Sequence, residues 1–411
     1  MLNLAIITCV SSLNRCRGGN EESIRLLIGE LIKRNVTIAL YSYPNNLVNM
    51  EGLNNIKKNN QVNLKPLELF APPLTLLPRL LFELKKAEKN IDMFHIYNVF
   101  PMAAAGLYKV LGGKKTVVAT LNNYAGVCPT GGYLCNGREI CSWYKRTKCL
   151  ARGRGFFSKI LAPFYSLVYP ALICLMKKID GYIAISNSVK TIYSQHGYNS
   201  EIIQIIPNFM EDNIKPINCG IKLLEKHEYQ SEKNFKILFV GGLSEHKGVD
   251  VLIRAFALFI KERPNSELII VGNGPQKTML MELSSNLGIT KNVIFPGGVK
   301  HKDIWSFYQA SDIFVHPGVW PEPFGRTILE AMTYGLPCIV SDLGAPPDIV
   351  ENAGLVFPAG NVKSLFKCLI ELHDNEDTRN EMASNIKLIL NKYKSEKVLK
   401  NILQFYEKHV C

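Results

Sequence analysis

The chain has 411 residues, of which 47% are hydrophobic and 20% charged, a composition that is typical of globular proteins and excludes an intrinsically disordered chain. This length gives room for two large domains. The net charge of +13 lies almost entirely in residues 1–214, which hold 25 Lys and Arg against 13 Asp and Glu. Such a basic half indicates an anionic partner, for example an anionic membrane surface, although surface charge can also serve only solubility.

Two further features of the sequence bear on the cellular compartment. The 11 cysteines are scattered and odd in number, which argues against a disulfide framework. Met1 leads directly into the predicted strand residues Leu4–Ile7, without the basic segment that opens a cleavable signal. We therefore expect a cytoplasmic protein.

The amino-terminal half begins with a Rossmann-like pattern. Leu4–Thr8 is predicted to be a buried strand, and Ile24 and Leu27 begin a helical spacing after a loop. That loop carries Gly18 and Gly19 but no G-x-G-x-x-G motif, so the sequence does not indicate a dinucleotide site. Further predicted strands follow, which favours a doubly wound parallel sheet. These strands are Val36–Tyr41, Met93–Tyr97, Thr116–Thr120 and Tyr182–Ser186.

Four cysteines lie within residues 128–149, at steps of seven, six and eight residues. These steps do not match the usual close pairs of zinc ligands. The four are Cys128, Cys135, Cys141 and Cys149. One hypothesis is a structural zinc site formed by the four side chains, and the alternative is four thiols in a reduced loop.

A basic cluster within residues 138–159 adjoins the long apolar stretch 156–176. This stretch has 21 residues, enough to span a membrane, but Lys159, Pro163 and Pro170 argue against a span. We predict instead an amphipathic or buried helix whose basic neighbours lie near lipid head groups. An ordinary core helix is the alternative.

The carboxyl-terminal half opens with the predicted strand Phe235–Val240, followed by Gly241, Gly242 and Lys247. Apolar residues at helical spacing from Val251 predict the next helix. Strand, glycine turn and helix together form a phosphate cradle, because free N–H groups at a helix start bind anions and Lys247 adds a cation. A solvated surface lysine is the alternative.

Residues 311–350 carry the most specific pattern in the chain. A buried strand ends at Val315, a proline-rich loop follows, a helix begins near Gly325, and a second strand comes after it. This βαβ unit places its loop at the carboxyl edge of the sheet, where open α/β sheets bind ligands. Glu322 lies in the loop, and Glu330 on the helix is a candidate acceptor for sugar hydroxyls beside a phosphate bound at the helix start. The alternative is that both are solvated surface acids.

The string from Glu322 to Met332, with Gly335-Leu-Pro and Gly344 after it, resembles the donor-site signature of the retaining glycosyltransferases of family 4. That family has the two-domain GT-B architecture. The resemblance implies that Glu322 contacts the transferred sugar and that Glu330 binds the ribose of a nucleotide-sugar. It also implies donor contacts from glycine turns and loop residues. These are Gly18, Gly19, Gly242, Val299, Phe324, Gly325, Arg326 and Thr327.

Two positions depart from the family pattern. Gly242 stands where the family commonly has an Arg paired with Lys247, which leaves less positive charge for a diphosphate. Asn122 stands where the family usually has a His near the transferred sugar, and an amide can hydrogen-bond a hydroxyl but cannot take a proton. The candidate catalytic residues are then Glu322, Lys247 and Asn122.

We predict two Rossmann-like, doubly wound α/β domains that face across a cleft. The first, at residues 1–207, would be the acceptor side, and the second, at residues 208–394, would bind the donor. Residues 395–411 are predicted to form a helix that crosses back to the first domain.

The predicted activity is retaining transfer of a hexosyl residue from a nucleoside diphosphate sugar to a glycan or lipid-linked acceptor. Such transfer would serve cell-surface polysaccharide or glycolipid synthesis, on the inner face of the cell membrane. No D-x-D motif occurs, so we expect catalysis without a metal or other cofactor. The alternatives are a sugar-nucleotide epimerase on the same architecture and a non-catalytic nucleotide- or glycan-binding protein. Nucleic-acid binding is not predicted, because the basic half lacks aromatic-rich motifs.

Overall fold

The computed structural model describes residues 2–8, 19–42, 56–57, 72–130, 142–151, 156–210 and 234–410. The chain divides into two compact units: unit 1 comprises Met1–Phe209 with Ser395–Cys411, and unit 2 comprises Met210–Lys394. Among the described residues each unit holds one sheet, and every strand pair in both sheets is parallel. The prediction of two doubly wound α/β domains is confirmed.

Unit 1 has a seven-stranded sheet in the order β3-β2-β1-β4-β5-β6-β7. The strands are β1 Asn3–Thr8, β2 Thr37–Ser42, β3 Ile56–Lys57, β4 Met93–Ile96, β5 Thr116–Leu121, β6 Gly181–Ala184 and β7 Ile203–Ile205. The helices are α1 Gly19–Lys33, α2 Pro72–Ala87, α3 Val99–Val110, α4 Trp143–Ala151, α5 Phe156–Met176 and α6 Asn187–Gln195, with a terminal helix at Ser395–His409. As predicted, the apolar stretch 156–176 is helical.

Helices cover both faces of the central part of this sheet, so strands β1, β4, β5 and β6 are mostly buried. Met93 belongs to the cluster formed with α1 and the terminal helix, where it lies near Leu27 and Phe405. The next residue, Phe94, packs edge-on against Tyr108 of α3. Since successive side chains of a strand point to opposite faces, the two contacts lie on opposite sides of the sheet.

The terminal helix is fixed to unit 1 by a buried polar chain. Tyr406 Oη lies 2.6 Å from His95 Nδ1, and His95 Nε2 lies 2.7 Å from Thr120 Oγ1. Burial lowers the pKa of His95 to about 3, so the imidazole is neutral at physiological pH. Thr116 also donates a hydrogen bond to the carbonyl oxygen of His409, at 2.8 Å. These contacts make His95 a docking residue for the terminal helix.

Unit 2 has a six-stranded sheet in the order β10-β9-β8-β11-β12-β13. The strands are β8 Phe235–Val240, β9 Ser266–Val271, β10 Val293–Gly297, β11 Ile313–His316, β12 Cys338–Ser341 and β13 Gly354–Phe357. The helices are α7 Val249–Glu262, α8 Lys277–Asn286, α9 His301–Gln309, α10 Arg326–Thr333, α11 Pro346–Val350, α12 Val362–Asp374 and α13 Glu376–Leu390. Their apolar faces bury a core around Phe256, Ile270 and Val315.

Candidate active site

The order of the strands in unit 2 identifies one preferred place for a ligand. From the central strand β8, the chain first adds β9 and β10 on one side and then adds β11, β12 and β13 on the other. This reversal creates a crevice outside the carboxyl ends of β8 and β11, the topological switch point where open α/β sheets bind ligands. The loop after β8 contains Lys247, and the loop after β11 contains Glu322, so both predicted residues lie at this point.

The two loops are held together through their backbones. The Val319 N–H donates to the His246 carbonyl oxygen at 2.9 Å. Gly248 caps α7 with a left-handed φ of 65°, and a Cβ atom there would lie 2.0 Å from the carbonyl oxygen of Pro317. A side chain at position 248 would therefore push the loops apart, and the glycine sets how closely they approach.

Two hydrogen-bond donors and a ring nitrogen surround one oxygen of Glu322. Lys247 Nζ donates to Oε2 at 2.5 Å, Trp320 Nε1 donates to it at 3.1 Å, and His316 Nε2 lies 3.6 Å away. In the described part of the chain, every polar contact of this carboxylate is made by Oε2. The other oxygen, Oε1, therefore keeps its acceptor capacity for a ligand.

Glu322 is ionised although it is largely buried, with a side chain only 13% exposed. Burial by itself raises the pKa of a carboxyl group, but the charge of Lys247 and the contact with His316 outweigh it and hold the pKa of Glu322 well below its usual range. The imidazole of His316 is itself buried, and its Nδ1 has no hydrogen-bond partner among the described residues. The site thus contains a fixed carboxylate beside an unsatisfied ring nitrogen.

Lys247 takes part in the same cluster. Its ammonium also lies 5.2 Å from the ring centroid of Trp320, whose indole packs edge-on against His246. Burial and the nearby charge of Lys247 lower the pKa of His246. An ammonium has three N–H donors, so Lys247 can bind Glu322 and a phosphate oxygen of a ligand together. Lys247 is thus ion-paired, with a side chain that is 21% exposed.

The backbone of Glu322 is clamped by the loop after β12. Glu322 forms an isolated parallel bridge with Gly344, and its carbonyl oxygen accepts a hydrogen bond from the Ala345 N–H at 2.8 Å. Gly344 has a φ of 85°, and a Cβ atom there would lie 2.3 Å from the Glu322 nitrogen. Only glycine fits, so Gly344 controls where Glu322 lies.

We expect Gly344→Ala to lower the free energy of unfolding by about 2–4 kcal/mol, because the cost of a strained φ and the cost of a backbone clash are added together. It should also weaken donor binding, since Glu322 must move. Gly360→Ala is the matched control: its φ is 77°, but no atom lies within 4 Å of its Cβ position. Urea denaturation of both variants, with donor calorimetry, checks this, and equal losses in the two variants would contradict the clamp.

Glu330 lies on α10, which begins after the left-handed cap residue Gly325. The side chain is buried, with a residue exposure of 7%, and Tyr308 Oη donates a hydrogen bond to its Oε2 at 3.0 Å. Tyr308 stacks with Tyr334 at 5.9 Å and an interplanar angle of 7°. Burial and the neighbouring Glu330 raise the pKa of Tyr308 well above its usual value, so it stays a donor. A buried, oriented carboxylate does not fit the solvated-acid alternative.

The remaining predicted donor residues occupy several places. Gly242 lies in the loop after β8, with open space at its Cβ position, and Val299 is half-buried after β10. Phe324 is buried, and its ring packs edge-on against Tyr393, so only its backbone is available to a donor. Arg326 and Thr327 are the first residues of α10, where backbone N–H groups lack intrahelical acceptors.

The predictions in unit 1 rest on fewer described residues. Asn122 follows β5 directly at its carboxyl end, and Gly19 is the first residue of α1, whereas Gly18 lies outside the described residues. Cys128 Sγ lies 3.2 Å from Thr130 Oγ1. Cys149 lies on α4, while Cys135 and Cys141 are also outside the described residues, so the zinc hypothesis stays a prediction.

Sequence reasoning missed three side chains that complete the site: His316, Trp320 and Tyr308. His316 carried a signal, because a polar residue at the end of a buried strand, just before a Pro-Gly turn, lies at the ligand-binding edge of the sheet. Tyr308 carried none, since an aromatic residue at helical spacing on α9 is typical of a core position.

Comparison with known proteins identifies related families and a similar fold. Residues 17–213 match the family model "Glycosyltransferase Family 4", and residues 222–388 match "Glycosyl transferases group 1". The crystal structure of Anabaena Alr3699/HepE in complex with UDP has a TM-score of 0.74 at 18% identity, covering 99% of this chain and 100% of that one. At this identity the likeness shows the fold.

Curated relatives match over shorter segments. An uncharacterized glycosyltransferase of Methanocaldococcus jannaschii is 33% identical over 185 residues, which is 42% of this chain and 47% of the relative. The alpha-monoglucosyldiacylglycerol synthase of Acholeplasma laidlawii is 28% identical over 211 residues, or 48% of this chain and 52% of the relative. The chain thus spans about half the length of the curated relatives it matches.

Proposed function

Because this chain belongs to the glycosyltransferases of group 1 and family 4, we propose that it transfers a hexosyl residue from a nucleoside diphosphate sugar to an acceptor hydroxyl, with retention of anomeric configuration. The observation that carries the proposal is the cluster at the switch point of unit 2. There Lys247 holds Glu322 ionised at 2.5 Å, close to the start of the helix that carries buried Glu330.

Each carboxylate suits one part of such a donor. Glu330 is oriented by Tyr308 and would accept hydrogen bonds from the ribose hydroxyls. Glu322 would accept hydrogen bonds from the sugar through Oε1, because the described contacts of the protein occupy Oε2. Hydrogen bonds to charged acceptors contribute about 1.5–3 kcal/mol each, so the pair would supply much of the donor specificity.

Departure of the diphosphate is the step that the protein must assist. The bond between the anomeric carbon and the phosphate oxygen breaks, and negative charge develops on that oxygen. Lys247 and the N–H groups at the start of α10 would stabilise this charge, and we propose that Arg326 supplies the charge that Gly242 does not. The acceptor oxygen bonds to the anomeric carbon on the same face, and its proton passes to the departing phosphate oxygen. This route needs no base, which fits an amide at Asn122.

The acceptor class is proposed from charge and from relatives. Residues 1–214 carry a net charge of +12, and two relatives are named for lipid products or substrates, a glucosyldiacylglycerol and a phosphatidylinositol monomannoside. We propose a lipid-linked or glycan acceptor met at the cytoplasmic face of a membrane, to which the protein binds peripherally.

A panel of nucleoside diphosphate sugars tests the donor site. Wild-type protein should show a raised melting temperature with at least one donor, because a ligand that binds only the folded state stabilises it. The double variant Glu322→Gln/Glu330→Gln should lose this shift. A panel without any stabilising donor would contradict the proposal.

Transfer should persist in excess EDTA, because the proposed stabilisation of the diphosphate comes from side chains and helix N–H groups. In the described residues no group of three or more His, Cys, Asp or Glu is placed to hold a metal. Product formation with and without chelator measures this, with circular dichroism as the control for folding. Loss of activity in a folded protein, restored by Mg²⁺ or Mn²⁺, would contradict it.

A further inference from the structure

Helix α5 presents apolar side chains to solvent along most of its length. Apart from Lys159 and Pro170, its described exposed positions recur at helical spacing, as on an ordinary surface helix, but they are not polar. They are Ile160, Phe164, Leu167, Ala171 and Cys174. At about 1.5 Å per residue this stripe is roughly 21 Å long. An exposed apolar stripe of this length marks an interaction surface for a membrane or for another protein.

Neighbouring helix α4 enlarges the surface. Trp143 Nε1 donates to the Pro163 carbonyl oxygen at 3.2 Å, and Ser166 Oγ donates to the Trp143 carbonyl oxygen at 3.0 Å. These bonds fix α4 along α5 and leave Trp143 and Tyr144 exposed at 47% and 68%. Tryptophan and tyrosine are the side chains that favour the interface between lipid and water.

The charged residues on both helices are basic. Neither α4 nor α5 contains Asp or Glu. Exposed lysines lie on both helices and just beyond the end of α5: Lys145, Lys148, Lys159 and Lys178. A cationic rim around an apolar stripe complements anionic head groups around an acyl interior.

The packing of α5 against the rest of unit 1 argues against a membrane span. Among the described residues, one helical segment, Lys159–Met176, is long and apolar enough to span a membrane, and 28% of it is buried. However, Tyr169 of the buried face donates to the Ala125 carbonyl oxygen, and α3 approaches so closely that a Cβ atom on Gly106 would lie 1.8 Å from the Leu175 carbonyl oxygen. Crossing a bilayer would break this packing.

We propose that the face formed by α4 and α5, with its apolar stripe and cationic rim, is the surface by which the protein docks on an anionic lipid bilayer. This proposal rests on the proposed function, which has the protein meet its acceptor at a membrane. Docking on lipid can nevertheless be measured without catalysis. The apolar side chains would enter the boundary between head groups and acyl chains, and the lysines would contact anionic head groups.

Co-sedimentation with vesicles tests the surface. Wild-type protein should pellet with phosphatidylglycerol–phosphatidylcholine vesicles at low salt, and much less with pure phosphatidylcholine or at high salt. The variant Phe164→Glu/Leu167→Glu should bind the anionic vesicles at least about tenfold more weakly, as should Lys145→Glu/Lys148→Glu. Leu388→Glu is the matched control, because Leu388 is 74% exposed on α13, against 69% for Leu167.

Several results would overturn the proposal. Wild-type protein that stays in the supernatant with anionic vesicles would contradict docking. Glutamate variants of the face that bind these vesicles like the wild type would contradict the assigned surface. A wild-type dimer that Phe164→Glu/Leu167→Glu splits into monomers would instead assign the face to a second copy. Leu167→Ser gives a milder variant if the double one does not fold. Donor turnover measured without vesicles should be unchanged in Leu167→Ser, so failure of docking and failure of the proposed catalysis are distinguishable.

Discussion

Replacing Glu330 with Gln is expected to weaken donor binding by about 1.5–3 kcal/mol, roughly ten- to hundredfold in Kd, because the ribose hydroxyls lose a charged acceptor. The substitution keeps the shape of the side chain, and an amide oxygen can still accept the hydrogen bond from Tyr308. The fold should therefore survive, and the loss should appear in binding alone.

Calorimetric titration with the donor found by the melting screen measures this loss. Glu381→Gln is the control, since Glu381 is an exposed carboxylate of the same unit on α13 and should bind the donor like the wild type. Tyr308→Phe should give a smaller loss than Glu330→Gln, because it removes only the group that orients the carboxylate. Unchanged donor affinity in Glu330→Gln would disprove the ribose assignment.

Lys247→Met is expected to affect both stability and turnover. It leaves Glu322 buried without the cation that holds its pKa down, which costs about 3 kcal/mol in unfolding free energy. Turnover should fall about 100- to 1000-fold, because the departing diphosphate loses a fixed positive charge. Urea denaturation and product formation measure the two effects separately.

The pH dependence of this stability loss has a defined sign. The pKa of Glu322 is lowered on folding, so the ion pair stabilises the wild type above the ordinary glutamate pKa of 4.5 and less as the pH falls below it. The difference in stability between wild type and Lys247→Met should therefore be full near neutral pH and shrink in acid. A difference that does not change with pH would contradict the ion-pair account.

A double variant separates the structural role from the catalytic one. Lys247→Met/Glu322→Gln removes both charges and should recover most of the stability, since no unpaired charge stays buried. It should not recover turnover, because neither the cation nor the carboxylate for the sugar is present. Recovery of turnover would show that the pair serves folding only.

The sequence predicted the parts of the site that lie within one local pattern. Strand, loop and helix around Gly325 follow from short-range periodicity and from glycine and proline positions, and Glu322 and Glu330 both lie in that unit.

Contacts between distant segments were out of reach. Lys247 and Glu322 are 75 residues apart and meet only because β8 and β11 are neighbours in the sheet. Tyr308 reaches Glu330 from another helix, and Tyr406 reaches His95 across 311 residues. Periodicity gives the buried face of an element but not which element packs against it, so these partners required the structure.

The most direct test of the proposed activity is the analysis of products formed from a bound donor and a lipid or glycan acceptor. Mass spectrometry and NMR should show free nucleoside diphosphate and a glycoside whose new linkage has the same anomeric configuration as the sugar in the donor. An inverted linkage would contradict the proposed retention. An epimerised sugar without glycoside, or donor binding without any product, would contradict glycosyl transfer itself.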